Sequence, residues 1–210
     1  MDYYSGRGQQ AIDKTMHQRF FKDKMNGTCI ECGALDGKDL SVCYAFESIL
    51  NWNCVNIEAD SRSFLKLVVN RPKSLNLFYA LSDKDGDLIS FCLSPKPKMS
   101  HVVDKKLTKS PGVIQVPTIT YKTLIEKINL KSLDLFVLDV EKCEIKVLCG
   151  MRGAIVLSDV FCIEILGLTS AIVQEKKTKI EAHLALLEDE YVYSFNASYN
   201  YVYIKRNFVK

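Results

Sequence analysis

The chain has no long apolar run. Residues 135–138 and 160–168, the latter interrupted by Glu164, are its longest, far short of the roughly 20 residues a bilayer-spanning helix needs. No membrane span is expected. Net charge is also scarce: 28 Lys and Arg against 25 Asp and Glu leave +3, too weak a field for a dedicated nucleic-acid binder. The first residues, MDYYSGRGQQAIDK, lack the apolar stretch of a secretory signal peptide, which points to an intracellular, cytoplasmic protein. Repeats, low-complexity tracts and a second-domain linker are missing too. What is present is 210 residues, 48% apolar and 25% charged, the make-up of one globular domain (1–210) with a sizeable core.

Eight cysteines in such a chain are expected to be reduced thiols used as small core residues. Cys29 and Cys32 form a C-x-x-C, but no second pair or nearby His completes a zinc site. They also sit in a segment that reads as a strand, where residues three apart face opposite ways. His17, His101 and His183 are far apart in sequence. Asn196-Ala197-Ser198 fits a glycosylation acceptor but reads as a hairpin turn in a chain expected to stay inside the cell.

Periodicity predicts a helical lead-in within residues 1–26, with Met16, Phe20 and Phe21 at near-helical spacing, ended by Asn26-Gly27. Strand (28–32), helix (40–50), strand (54–58), helix (62–69) and strand (75–80) follow, the βαβαβ pattern of a parallel sheet covered by helices. Residues 88–93 read as a further short strand. Residues 94–112, rich in Lys and Ser with three Pro, form a long loop and a candidate substrate lid. A helix at 119–128 is expected after a turn at Pro117, then a strand at 133–139, a helix from Glu144, a strand at 160–166 and a helix at 176–187. Two Tyr-rich segments, 191–195 and 201–205, predict an antiparallel hairpin.

In open α/β sheets ligands bind beyond the carboxyl ends of the strands, and here those ends are acidic. The first runs into Glu31-Cys32-Gly33-Ala34-Leu35-Asp36-Gly37, where two Gly let the backbone approach a ligand closely. This is not G-x-G-x-x-G, and Glu31 and Asp36 would repel a pyrophosphate. The second ends at Glu58, which can accept both hydroxyls of a ribose, each charge-assisted bond contributing about 1.5–3 kcal/mol. The third ends at Leu81-Ser82-Asp83. Acid at these positions suits a nucleoside with a cationic tail, such as S-adenosylmethionine.

Several segments occur in order: residues 27–37, Phe46-Glu47 followed by Asn51-Trp52, Ile57-Glu58-Ala59-Asp60, Asn70-Arg71-Pro72, Ala80-Leu81-Ser82-Asp83, and Leu138-Asp139-Val140-Glu141. In this order and spacing the chain resembles the FkbM family of S-adenosylmethionine-dependent methyltransferases. The resemblance implies a class I methyltransferase fold, a Rossmann-like three-layer α/β sandwich on a mostly parallel seven-stranded sheet with a C-terminal antiparallel hairpin. Carried over by position, Glu31, Gly33, Ala34 and Gly37 would hold the methionine part, Glu58 the ribose, and Ser82 with Asp83 the adenine edge. The chain departs from the family after its fourth strand, where Lys142 and Cys143 replace the usual Gly and Ala of Asp-Val-Glu-Gly-Ala-Glu.

Methyl transfer is an in-line displacement that asks the protein to align donor and acceptor and to remove a proton. Asp139, Glu141 and Glu164 close the two strands beside the expected cofactor and are the candidate catalytic residues. The expected acceptor is a hydroxyl on a sugar or other small metabolite. The three acids could instead bind Mg²⁺, a less favoured alternative. An RNA cap 2′-O-methyltransferase shares the fold but wants Lys where Glu164 stands. A binding module without turnover is the third alternative, motivated by Lys142 and Cys143. Lys96, Lys98, Lys105, Lys106 and Lys109 could attract an anionic acceptor or simply be solvated.

Overall fold

A computed structural model of the chain describes residue 4 and residues 11–103 and 110–208. The lead-in is α1 (Ile12–Met16), continued by a π-helical turn over His17–Phe21. Then come β1 (Thr28–Cys32), α2 (Cys43–Leu50), β2 (Asn53–Glu58), α3 (Ser61–Asn70), β3 (Leu75–Phe78), β4 (Ala80–Ser82), β5 (Leu88–Cys92), β6 (His101–Val103) and β7 (Val113–Thr120). The chain continues through α4 (Tyr121–Lys127), β8 (Leu135–Leu138), α5 (Glu144–Cys149), β9 (Val160–Glu164), α6 (Ser170–Leu184), β10 (Tyr191–Ala197) and β11 (Asn200–Lys205).

Seven strands join in the order β10-β11-β9-β8-β1-β2-β3. Those flanking β1 run parallel to it, and β11 alone runs against both neighbours. Strands buried on both faces sort their side chains by parity. Cys29, Leu135, Val160 and Val202 pack with Ile12, Met16, Phe46 and Trp52 on the α1–α2 side. Ile30, Phe136, Phe161 and Tyr203 pack with Leu124, Leu148, Ile180 and Leu184 of α4, α5 and α6 on the other. These two apolar layers around one sheet are the three-layer sandwich expected. The same parity puts Cys29 and Cys32 into opposite layers, so the C-x-x-C is not a pair. All eight cysteines are free thiols.

The predicted strand at 75–80 is two strands that part at Tyr79. β3 pairs with β2, whereas β4 leaves for a second sheet of order β4-β7-β5-β6. The helix expected from residue 119 begins only at Tyr121, because β7 continues through Pro117 to Thr120. The β-branched run Val113, Ile114, Val116, Thr118, Ile119 prevails over the turn tendency of Pro117. Pro117 faces Leu88 at the end of the β5–β7 ladder, where its missing N–H costs little. Thr120 then caps α4, its hydroxyl accepting from the Thr123 N–H at 3.1 Å.

Within the stretch expected as a lid, residues 97–99 form a single 3₁₀ turn and residues 101–103 a strand. Residues 104–109, with Lys105, Lys106 and Lys109, lie outside the described residues, as do residues 5–10 of the lead-in. No described helix is long and apolar enough to cross a membrane.

The helix α5 meets the second sheet at Gly150, its C-terminal cap. A Cβ there would stand 2.2 Å from the carbonyl oxygen of Ser82, a backbone atom that cannot swing aside. Gly150→Ala is therefore expected to lower unfolding free energy by about 1–3 kcal/mol, read as a lower urea midpoint at unchanged m-value.

Candidate active site

The carboxyl ends of β1, β2, β8 and β9 open onto a cavity of about 360 Å³. Ile89, Phe91 and Val102 of the small sheet wall one side, and Met99 and Ser100 overhang it. Of the residues singled out in the sequence, Glu31, Gly33, Ala34, Glu58, Ser82, Asp139, Glu141 and Glu164 all line this cavity. Gly37 and Asp83 do not. Gly37 abuts Leu67 and Arg71, and exposed Asp83 accepts a bond from the Ser82 hydroxyl at 3.1 Å.

Gly33 is where the ends of β1 and β8 come together. Its φ is +88°, and a Cβ would lie 1.8 Å from the Asp139 carbonyl oxygen, so only glycine fits. Glu31 is buried and turned toward α2, accepting from the Ser41 hydroxyl at 2.5 Å and from the Val42 and Cys43 N–H groups at 2.7 and 3.3 Å. Burial raises its pKa, while Arg71 and these donors pull the other way.

Arg71 is itself 1% exposed. Its guanidinium pairs with Glu47, donates to the Gly37 carbonyl at 2.9 Å and the Ser41 hydroxyl at 3.3 Å, and lies over the Tyr44 ring. This contact set gives a purpose to Phe46-Glu47 and Asn70-Arg71-Pro72, to which sequence reasoning assigned no role. It also explains Gly37, whose missing side chain makes room for Arg71.

Glu58 clamps the turns after β1 and β2. Its oxygens accept from the Leu35 N–H at 2.7 Å and the Asp60 N–H at 2.6 Å, with the Ala59 N–H as a further donor. Burial pushes its pKa up to about 7. Next to it, Asp60 caps α3 and accepts from the Ser100 hydroxyl at 2.7 Å and from Arg62 at 2.6 Å. Arg62 also donates to the Ser94 carbonyl at 2.7 Å. The loop that carries Lys98 and Met99 over the cavity is thus fastened at its base to the end of β2.

On the opposite wall Asp139 and Glu164 share a hydrogen bond. Burial, and for Glu164 the neighbouring Asp139 charge, raise Asp139 to about 6 and Glu164 to about 9. The pair therefore shares one proton at neutral pH. Burial and Glu144 also raise Glu141.

Residues 140–143 make a type I′ turn, closed by the Cys143 N–H on the Val140 carbonyl at 3.3 Å, with φ of +49° at Glu141 and +79° at Lys142. Lys142 is exposed and stays outside the cavity, whereas Cys143 lines it. Sequence reasoning missed Tyr199 and Asn200, which reach the cavity from the β10–β11 hairpin. Asn200 is the register partner of Glu164, a neighbour 36 positions away that no local pattern marks. Among the described residues no group of three His, Cys, Asp or Glu side chains is disposed to hold a metal ion.

This sheet order, with one antiparallel strand inserted beside the last parallel one and acids at the strand ends, defines a class I methyltransferase fold. The chain belongs to the methyltransferase FkbM domain family, whose model matches residues 31–203. Among solved structures it is similar to an FkbM methyltransferase from Methylobacillus flagellatus KT, with TM-score 0.50 and 12% identity over 91% of this chain and 50% of that one. It is also similar to fibrillarin of Aeropyrum pernix with bound S-adenosyl-L-methionine, at 0.50 and 9% over 96% and 75%. The METTL16 MTase domain gives 0.52 and 8% over 92% and 65%. The chain spans half the length of the Methylobacillus flagellatus structure. No curated protein matches.

Two outcomes follow from this geometry. The folded chain keeps protons on Glu164, Glu58 and Asp139 that the unfolded chain releases near pH 4–4.5. Their contribution to stability without ligand should therefore be fullest below that range and be lost as pH rises toward about 9. Glu164→Gln, which mimics the protonated acid, should flatten the upper part of the fall in thermal melts from pH 7 to 9. Lys142→Gly should relieve a left-handed residue worth about 1–2 kcal/mol at an entropic cost of about 0.5–1 kcal/mol. A small net gain in the denaturant midpoint is expected.

Proposed function

We propose that the chain moves a methyl group from S-adenosylmethionine to a hydroxyl oxygen of a small-molecule acceptor, a sugar or comparable metabolite. The observation that carries this is the meeting in one cavity of a ribose-type carboxylate, Glu58, and a proton-sharing acid pair, Asp139 and Glu164. The residues present fit the cofactor. Glu58 offers a carboxylate acceptor to a ribose hydroxyl, Ser82 with the apolar wall of Ile89 and Phe91 suits a base, and the surrounding carboxylates favour a cation. When bound, S-adenosylmethionine supplies an electrophilic methyl group on a sulfonium centre.

The chain's own residues do the rest. Gly33 and Ala34 bring backbone against the cavity, and Glu31 fixes the turn that carries them by capping α2. The Asp139–Glu164 pair, which holds one negative charge at neutral pH, stands ready to accept the acceptor's hydroxyl proton, and the hydrogen bond between the two acids orients it. Glu141 lies on the same wall and can hold the acceptor's other polar groups. The mild net charge and an acid at position 164 support a small acceptor over RNA. The exposure of Lys142, away from the cavity, supports turnover over a binding-only module.

Calorimetry with S-adenosylhomocysteine should give saturable binding, and Glu58→Ala should weaken it by about 1.5–3 kcal/mol, or about 10- to 150-fold. A folded wild-type chain that binds neither this compound nor S-adenosylmethionine would reject the proposal. With radiolabelled cofactor and a panel of hydroxyl acceptors, Asp139→Asn should lower transfer by about 10²-fold or more while cofactor affinity stays within a few-fold. Undiminished transfer would remove Asp139 from the reacting centre.

A further inference from the structure

The α2 side of the sheet carries four buried cysteines, Cys29, Cys54 and Cys162 on strands and Cys43 on α2. Two of them are set apart by geometry. Cys29 and Cys54 are register partners on the parallel strands β1 and β2, so their side chains leave the sheet on the same face. Their sulfurs stand 2.8 Å apart, closer than non-bonded heavy atoms settle and longer than the roughly 2.05 Å of a disulfide bond. Neighbouring strands lie about 4.8 Å apart, inside the roughly 4.4–6.8 Å range of Cα separations that a disulfide bridges. Joining the sulfurs needs side-chain rotation and no strand movement.

A second observation concerns access. Cys54, 5% exposed, is one of the residues lining a groove of about 630 Å³ with Trp52, Glu47 and Leu75, at the amino end of β2 and away from the acidic cavity. Cys29 and Cys43 do not line it and are wholly buried. Burial also raises both of their thiols, Cys43 to about 12, which makes them poor first targets for an oxidant.

We propose that Cys54 and Cys29 form a reversible disulfide when the protein meets a hydroperoxide, with Cys54 oxidised first and Cys29 resolving it. The Cys54 sulfur attacks a peroxide oxygen, the O–O bond breaks, and a sulfenic acid forms with release of water from hydrogen peroxide. The Cys29 sulfur then displaces the sulfenic hydroxyl, which leaves with a proton as a second water while the S–S bond forms. The two thiols together lose two electrons and the peroxide gains them. A dithiol restores both thiols by exchange. This chemistry is separate from methyl transfer and does not depend on it.

The test treats the full chain with hydrogen peroxide, alkylates remaining thiols in denaturant, and maps the digest by mass spectrometry. Two of the eight thiols should escape alkylation, a Cys29–Cys54 linked peptide should appear, and dithiothreitol should abolish it. Cys54→Ser should give no linked peptide and leave Cys29 alkylatable. If that variant fails to fold, the wild-type map decides alone. Eight intact thiols, Cys54 oxidised without a link, or a link between other cysteines would each overturn the proposal.

Discussion

The buried guanidinium of Arg71 is the constraint on which the cofactor end of this fold depends. A cation inside a protein is tolerated only when surrounding groups replace its water. Here Glu47, the Gly37 carbonyl and the Ser41 hydroxyl do so, and they belong to α2 and to the turn that precedes it. Arg71 follows α3, so one side chain ties three successive parts of the chain together. It also lowers the cost of burying Glu31, the acid that caps α2. One guanidinium nitrogen, Nη2, has no hydrogen-bond partner among the described residues, so the arrangement is better understood as fixing position than as maximising stability.

Around that frame the cavity gathers carboxyl groups from four strand ends. Water normally screens such acids; here burial removes it, and the acids respond by retaining protons. The two walls answer differently. Glu58 is satisfied by backbone N–H groups and meets no other strand-end acid through a hydrogen bond. Asp139 and Glu164 share a proton because two adjacent charges out of water would be costlier. A cationic ligand changes that balance on both walls, since it favours the ionised acids it approaches.

The main sheet was legible in the sequence because parallel strands buried on both faces appear as short apolar runs between helices. The strand-end acids could be found by the general rule for where ligands sit in such sheets. The second sheet was legible only in its strand at residues 88–92. β4 and β6 have three residues each, Pro117 disguised β7, and the break at Tyr79 sends a mostly apolar segment from one sheet to another without a Gly or Pro to mark it. Pro117 looked like a turn and is a ladder end, because pairing with β5 outweighs local preference. Arg71 was visible only as part of a motif, since its role comes from residues 24 and 34 positions away. Gly37 looked like a ligand-facing glycine, and its neighbours reveal a space kept for that arginine.

The placement of β11 between β9 and β10 bears on how the site is assembled in time. Tyr199 and Asn200 complete the wall beside Glu164, yet they follow all but the final strand in the order of synthesis. As the chain leaves the ribosome, the halves of the cavity built by β1, β2 and β8 can form early, but the edge of β9 stays open until the hairpin arrives. Closing that edge joins residues 36 apart in sequence and has to wait for the last strand to be made. A nascent chain can thus acquire its core well before its cavity is whole, and it exposes an unpaired strand edge during that interval.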